Sequence, residues 1–551
     1  MSFVQSAPQL GNQYREDRVL RSYLRRVLPP QQLHLAEGTL DTLGEHAAHT
    51  WQRRTSSSRE EPVLTRWDAW GQRVDRIELT RAWREGPGIA ARNGLIATGH
   101  DAALGVHARV QQFALAYLYH VDSEFYTCPL AMTDGVATAL KAADERTLVE
   151  RALPHFLSRD PAKFWIAGQW MTENIGGSDV GNSETVARRD EHGGWRLSGR
   201  KWFTSAINAN AALALARPEG NPPGADGLAL FYLETRDAEG RWNGIHVDRL
   251  KDKLGTRELP TAEIHLEKTV ATLVGEPARG VRAVVPVLQI TRLWNSIGAL
   301  ATTRRCIALM RDYAQRRIAF GRPLIEQPLY ADMLASLQAE FEAAFHFVFH
   351  VAELLGRVQA RQADEYQQQL FRLLTPLAKL WTGKLAVRIA SETVEAFGGM
   401  GYLEDSGIPQ LLRDAQVFPI WEGASNVQAL DALGAFTKHG STSLRNAQRA
   451  LFAQAQGEEF VGFGQLAQDS LAIADAHLLS NEGEAGARGL ALTYARTFAA
   501  ALLARHAAWS LRAQSDPRPL SALRRFCAHG LNRLQNHSPK EARSLATDLY
   551  A

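Results

Sequence analysis

The sequence predicts a mainly helical α+β fold, with one small sheet domain set between helical regions. Three observations predict it. Long stretches on either side of residues 166–275 repeat apolar residues at helical spacing. Residues 166–275 instead carry short aromatic and aliphatic runs separated by turn sequences. The chain has 551 residues, and domains of ~100–200 residues imply about three or four of them.

The order of elements follows from these patterns. Residues 1–165 form an N-terminal helical domain, in which "EDRVLRSYLRRVL" and "ARVQQFALAYLYHV" have helical periodicity. From about Phe164 the texture changes: "KFWIAGQWMTE", "GWRLSGRKWFTS", "AALALARP", "GLALFYLETR" and "AEIHLEKTV" read as antiparallel strands of a β-domain over residues 166–275. The turns "DEHGG" and "EGNPPGADG" separate them. Residues 276–437 form a helical bundle. Its first helix carries Leu293, Ile297, Leu300, Ile307, Met310 and Ala314 on one face and is roughly 40 Å long at 1.5 Å per residue. Pro376 marks the first turn of a later helix, or a kink before it. Residues 438–551 are an Ala-, Leu- and Arg-rich helical extension.

Bulk composition excludes several classes. With 62 Lys and Arg against 59 Asp and Glu, the net charge of +3 implies no polyanionic partner for the whole chain. The three cysteines form no CxxC pair, so neither a zinc site nor a disulfide framework is expected. The N-terminus lacks an apolar signal-peptide core and no run of ~18 apolar residues exists. A cytoplasmic protein with no membrane partner is expected. No strand–GxGxxG–helix unit points to NAD binding. "FGGMG" at 397–401 follows a helix, which suits a C-cap better than a phosphate loop.

The stretch "VFPIWEGASNVQAL" sets one carboxylate, Glu422, between Trp421 and Gly423, just after an apolar run. Taken alone, Glu422 suits a helix cap or a salt bridge; an apolar setting also suits a working base, because burial raises carboxylate basicity. Four motifs occur in a fixed order around it. They are "WMTENIGGSDVGNSETVA", "GRKWFTSA", "RRIAFGRPLIEQP" and "EAFGGMGYLEDSGIPQLLRDAQVFPIWEGASN". Together they resemble the acyl-CoA dehydrogenase family of flavoproteins, over roughly residues 100–435. The long N-terminal segment, the C-terminal extension, "DKLGTRELPTAEIHLE" and "TPLAKLW" resemble the subgroup containing the alkylation-response protein AidB.

The resemblance implies an FAD-dependent α,β-dehydrogenation of an acyl-CoA thioester. At the Glu422 position the family has the base that removes the α-proton, while the β-hydride passes to flavin N5. Arg292 matches the arginine that lies near the base. Some members carry the base one residue before that arginine, and here that position is Thr291, which is not a base. Thr172 and Ser178 match residues at the flavin ring and pyrophosphate, and Gly177 permits close backbone approach. Trp202 matches a residue packed on the isoalloxazine, and Thr204 one that hydrogen-bonds near N5. Arg317, Phe320 and Gln327 match positions that hold the adenosine diphosphate half from a neighbouring subunit. Gly398 and Gly399 approach the pyrophosphate across the same interface. The resemblance therefore implies a homo-oligomer, usually a tetramer, with electron-transfer flavoprotein as an acceptor. Two positions depart from the pattern. Glu395 replaces a common glutamine, and an anion beside a pyrophosphate is unfavourable. Ala424 replaces a common threonine, with Asn426 as the candidate substitute.

Other functions stay in view. Nitroalkane oxidases resemble this family but carry aspartate at the base position, and acyl-CoA oxidases usually have a larger C-terminus. The AidB subgroup is associated with non-specific DNA binding and protection from alkylation. From Gly486 onward there are ten Lys and Arg against three Asp and Glu. Arg496, Arg505, Arg512, Arg524, Arg525 and Arg533 belong to that set, which makes DNA a candidate partner. A solvated arginine face or an oligomer contact explains the same skew.

Overall fold

The computed structural model describes residues 4–56, 59–121, 123–143, 145–479, 483–535 and 538–549. It divides into two compact units. One comprises residues 49–101 and 114–298, the other residues 1–48, 102–113 and 299–551.

The first unit is built around a sheet. Its strands are β1 (Val63–Trp67), β2 (Arg73–Glu78), β3 (Ala167–Trp170), β4 (Val186–Arg189), β5 (Trp195–Ser205), β6 (Ala211–Pro218), β7 (Ala229–Glu234), β8 (Ile245–Leu250) and β9 (Thr261–Val274). β3 to β9 form one seven-stranded sheet in the order β3-β6-β4-β5-β9-β7, with β8 on β9. β6 also pairs with β7, so the pairings close into a ring. Not all of them are antiparallel, contrary to the sequence expectation. β3 and β4 each run parallel to β6, because the β4–β5 hairpin is inserted between β3 and β6 and acts as a crossover.

Strand β6, "AALALARP", shows why the sheet sits where it does. Its two faces feed two cores. Ala211, Leu213 and Leu215 pack with Val136, Leu140 and Phe156 of the flanking helices. Ala212, Ala214 and Ala216 pack with Trp170, Phe231 and Ile264 inside the sheet. The β1–β2 hairpin falls in the stretch expected to be mostly helical. Its strands are largely exposed and show no clean alternation. Asp75 anchors it, accepting from Val247 N at 3.0 Å and from Arg73 Nε at 2.9 Å.

The second unit is helical. Its long members are Pro328–Gln359, Glu365–Ala396 and Gly483–Gln514, each of 32 residues. The Glu365–Ala396 helix starts well before Pro376, which lies in its interior. Asp364 caps its start by accepting from Gln367 N at 2.7 Å. Burial of Leu373, Leu374, Leu377 and Leu380 around the proline offsets its cost of ~3 kcal/mol. The C-terminal extension is part of this core. Phe498 meets Phe347 edge-on at 6.1 Å, and Phe526 lies 5.9 Å from Trp381. Arg496 forms a buried bidentate pair with Glu340, at 2.8 and 3.0 Å. Among the described residues, no helix is long and apolar enough to cross a membrane.

Candidate functional site

In the sheet unit, the sequence-predicted residues gather where β3 ends and β5 turns. Trp202 N donates to Thr172 O at 2.9 Å, tying the two segments together. A buried carboxylate fixes the base of this arrangement. Glu173 accepts from Lys201 Nζ at 2.7 Å, Thr185 Oγ1 at 2.6 Å and Glu184 N at 2.7 Å. Burial alone would raise its pKa, but the Lys201 ammonium and these donors hold it below the usual carboxylate range. Gly177 needs its missing side chain, since a Cβ there would stand 2.8 Å from Thr172 Oγ1. Ser178 is exposed beside it.

Trp202 is half-buried and lies outside the sheet core. Lys251 Nζ sits 3.3 Å from its ring centroid, and is held there by Glu263 at 2.7 Å. Thr204 is fully buried, and its Oγ1 has no hydrogen-bond partner among the described residues. A buried, unsatisfied hydroxyl is costly in isolation, and it suits a ligand atom supplied from outside the chain. This orphan hydroxyl, beside a half-buried indole, fits a flavin. Arg292 lies in the same unit, on the Val285–Arg316 helix, next to the buried Thr291. Among the described residues no group of His, Cys, Asp and Glu is arranged to hold a metal ion.

In the helical unit, Glu422 sits at the tip of the turn between the Ile408–Ala415 and Ser425–His439 helices. It has φ 59° and the following Gly423 has φ 98°. A left-handed conformation costs a non-glycine residue roughly 1–2 kcal/mol, so it persists only where its surroundings impose it. Two buried side chains do so. Gln428 Nε2 donates to Glu422 O at 2.7 Å, and Lys379 Nζ donates to Gly423 O. Gly383 lets the preceding segment lie close, because a Cβ there would be 3.0 Å from Phe418 O. Phe418 and Pro419 are buried under the turn, Trp421 is half-buried and Ile420 is exposed. Ala424 occupies the N-cap of the Ser425–His439 helix and offers no side-chain cap, and Asn426 is exposed.

Lys379 and Gln428 carry no role in the sequence reading. The available signal is Lys379 itself, a charge set in the apolar run "PLAKLW" at core spacing.

The remaining predicted residues form a second patch of this unit. β10 (Ile318–Ala319) and β11 (Arg322–Pro323) make a hairpin whose two loop residues, Phe320 and Gly321, have φ 51° and 81°. Phe320, at its tip, is 97% exposed. Arg317 N and O close the base of the hairpin with Tyr313 O at 2.8 Å and Leu324 N at 2.9 Å. Gln327 Nε2 braces it by donating to Ala319 O at 3.0 Å. The glycine loop is held beside it. Tyr313 stacks on Phe397 at 4.3 Å, and Tyr330 Oη donates to Ala396 O at 3.3 Å. Gly398 has φ 59° and directly follows the Phe397 C-cap of its helix, the position where a left-handed glycine commonly ends a helix. The space over Gly398 and Gly399 is open, and Glu395 is exposed nearby.

The basic extension is reorganised by folding. Arg496 is internal and paired with Glu340. Arg525 is half-buried against Asp332 at 2.7 Å. Arg505 is half-buried; a hydrogen bond from His350, then the charges of Arg505 and Arg26, keep the buried Glu353 carboxyl low against the upward push of burial. Arg512, Arg524 and Arg533 remain exposed.

Four family models match the chain. The AidB N-terminal domain matches residues 5–160 and the acyl-CoA dehydrogenase middle domain residues 168–269. The acyl-CoA dehydrogenase C-terminal domain matches residues 278–434 and the acyl-CoA dehydrogenase 11 C-terminal-like domain residues 431–549. The chain is 37% identical to acyl-CoA dehydrogenase family member 11 of Caenorhabditis elegans, over 95% of this chain and 88% of that one. It is 33% identical to the putative acyl-CoA dehydrogenase AidB of Escherichia coli, over 68% of this chain and 69% of that one. The solved structure of C. elegans ACDH-11 in complex with C11-CoA superposes with TM-score 0.94 at 34% identity, covering 100% of this chain and 97% of that one. The apo form of Bd2924 gives TM-score 0.84 at 43% identity, over 92% of this chain and all of that one.

Proposed function

Because this chain belongs to the acyl-CoA dehydrogenase family, a family of FAD-dependent oxidoreductases, we propose that Glu422 is the base of an acyl-CoA α,β-dehydrogenation. The observation that carries the reading is the backbone of Glu422. A glutamate held left-handed by two buried side chains is fixed in direction for a reason other than packing. The carboxylate takes the α-proton, and a rigid tip limits the search it makes for that proton. Arg292 is carried over from the family resemblance as the cation that favours the ionised form of such a base.

Thr172, Gly177, Ser178, Trp202 and Thr204 would hold FAD in the sheet unit, with the orphan Thr204 hydroxyl as donor. FAD, when bound, supplies the acceptor for the β-hydride. Arg317, Phe320, Gln327, Glu395, Gly398 and Gly399 would serve the FAD of a neighbouring copy, as the exposure of Phe320 and the open glycine loop support. Ala424 and Asn426 complete the cofactor set with one hydrogen bond fewer than a threonine would give. A homotetramer, an electron-transfer flavoprotein acceptor and a cytoplasmic location complete the reading. The substrate class is a CoA thioester, as in the C11-CoA complex of ACDH-11. DNA binding through the extension is the weaker reading, because Arg496 and Arg525 are already engaged with Glu340 and Asp332.

The test is a panel of saturated acyl-CoA thioesters assayed anaerobically with an artificial electron acceptor on FAD-loaded protein. Turnover with at least one chain length supports the reading. No turnover with any of them, from protein showing a flavin spectrum, overturns it.

A further inference from the structure

We propose that an arginine-lined cavity in the helical unit, separate from every residue of the flavin motifs, binds a small phosphate-bearing anion. The cavity measures about 540 Å³, within the ~300–1,000 Å³ typical of small-molecule sites. Five arginines line it: Arg18, Arg304, Arg311, Arg518 and Arg525. Arg304 and Arg311 lie seven residues apart on the Val285–Arg316 helix and so share one face. Arg518 and Arg525 have the same spacing on the Arg518–Ala528 helix.

Four of the five have a carboxylate partner: Arg518 meets Asp516 at 2.8 Å, Arg525 meets Asp332 at 2.7 Å, Arg304 meets Asp17 and Arg18 meets Glu342. Asp17 Oδ2 accepts from Arg304 Nε at 3.1 Å and also caps the Arg18–Val27 helix through Leu20 N at 2.9 Å. Glu342 pairs with Arg18, but burial pushes its carboxyl upward, toward the neutral form. Arg311 donates to a neutral partner, Gln338 Oε1, at 2.9 Å. Burial, together with the charges of Arg304 and Arg18, pushes its pKa down to about 10. Arg311 is therefore the lining arginine whose hydrogen-bond partner among the described residues is neutral, a positive charge that an entering anion would meet.

Hydrogen bonding points the same way. Arg304 Nη1 and Arg18 Nη1 are buried with no hydrogen-bond partner among the described residues. The Arg304 side chain is only 9% exposed. Asp516 Oδ2 is 3.8 Å from Arg18 Nη1, too far for a hydrogen bond. The two unmet guanidinium nitrogens belong to residues on separate helices that line one cavity. A tetrahedral oxyanion offers acceptors in several directions at once, which suits guanidinium forks. Neither nitrogen touches solvent as the cavity stands, so an entering anion has to turn each guanidinium toward itself. The Ser521 hydroxyl lines the same wall as a further donor. The volume exceeds that of a bare phosphate ion, so the fitting class is a phosphate ester or a phosphoanhydride.

The test uses the full-length, FAD-loaded protein and inorganic pyrophosphate as probe, titrated calorimetrically at constant ionic strength set with chloride. One saturable site per chain is expected. Arg311→Gln removes the arginine that has only a neutral partner. Ala335→Glu adds a carboxylate at an exposed position of the wall without removing any existing contact. Each is expected to weaken pyrophosphate at least ~10-fold, the size of one charged hydrogen bond, while acyl-CoA turnover stays unchanged. Because Ala335→Glu leaves the core intact, it decides the matter if Arg311→Gln folds poorly. Absence of saturable binding, or a site that Ala335→Glu does not weaken, overturns the proposal.

Discussion

Lys379 donates its ammonium to the carbonyl oxygen of Gly423, the residue after the candidate base, from a position with no solvent exposure. The lysine is thus a positioning residue for the turn and not for the chemistry itself. Lys379→Met is expected to keep flavin bound yet lower kcat with acyl-CoA by up to ~100-fold, the scale of a 1 Å misplacement. Single-turnover flavin reduction checks it, and a wild-type rate in a folded variant would remove Lys379 from this role.

The Arg496–Glu340 pair makes a prediction about stability. Both side chains are buried, and His529 Nδ1 also meets Glu340, at 2.8 Å. Burial opposes the Glu340 charge, but these partners hold its pKa below the usual range. Removing Arg496 takes the bidentate guanidinium from the buried Glu340 and leaves it on His529 alone of these two partners, at a cost of up to ~3–5 kcal/mol. Arg496→Leu is expected to destabilise by that amount in urea melts, while Arg524→Ala, at an exposed position, leaves the midpoint almost unchanged. Equal effects would show that the extension is not part of the core.

Acid sensitivity has a visible source. Arg26 Nε donates to His506 Nδ1 at 3.1 Å, so His506 is neutral, with its proton on Nε2 beside Ser22 Oγ at 3.1 Å. His346 lies 4.2 Å from His506 and has both ring nitrogens buried without a partner among the described residues. Burial first, then neighbouring cations including Arg26, Arg18 and Arg505, hold both imidazoles well below their ordinary pKa of 6.5. His350, buried in the same cluster beside Glu353, is also lowered. The unfolded chain therefore binds more protons than the folded one below about pH 6.5, and stability falls as pH drops through that value. Above it, these groups contribute no slope. His346→Phe keeps the ring volume and removes one titrating group, so the slope of stability between pH 5 and 6.5 is expected to shrink. An unchanged slope would place the acid sensitivity elsewhere.

Much of this was legible in the chain, for physical reasons. Glu422 between Trp421 and Gly423 stood out because a charge is rare in an apolar setting, and the structure places it in a strained turn. The long helices were legible from period alone. The start of the Glu365–Ala396 helix was not, because Pro376 signals an end while burial of the surrounding leucines overrides it. The parallel pairings of β6 were hidden, since alternation reports a strand's faces and not its neighbours. The placement of the extension's arginines was not legible, because a count does not reveal that Arg496 meets Glu340, more than 150 residues earlier.

The most direct measurement is anaerobic stopped-flow reduction of bound flavin by acyl-CoA in Glu422→Gln. The amide keeps the size of the side chain but does not accept a proton at neutral pH. The expected result is a protein with wild-type flavin content and a reduction rate lowered by at least ~10²–10⁴-fold, the range for loss of a general base. Reduction at the wild-type rate would contradict the account and place the base on another residue.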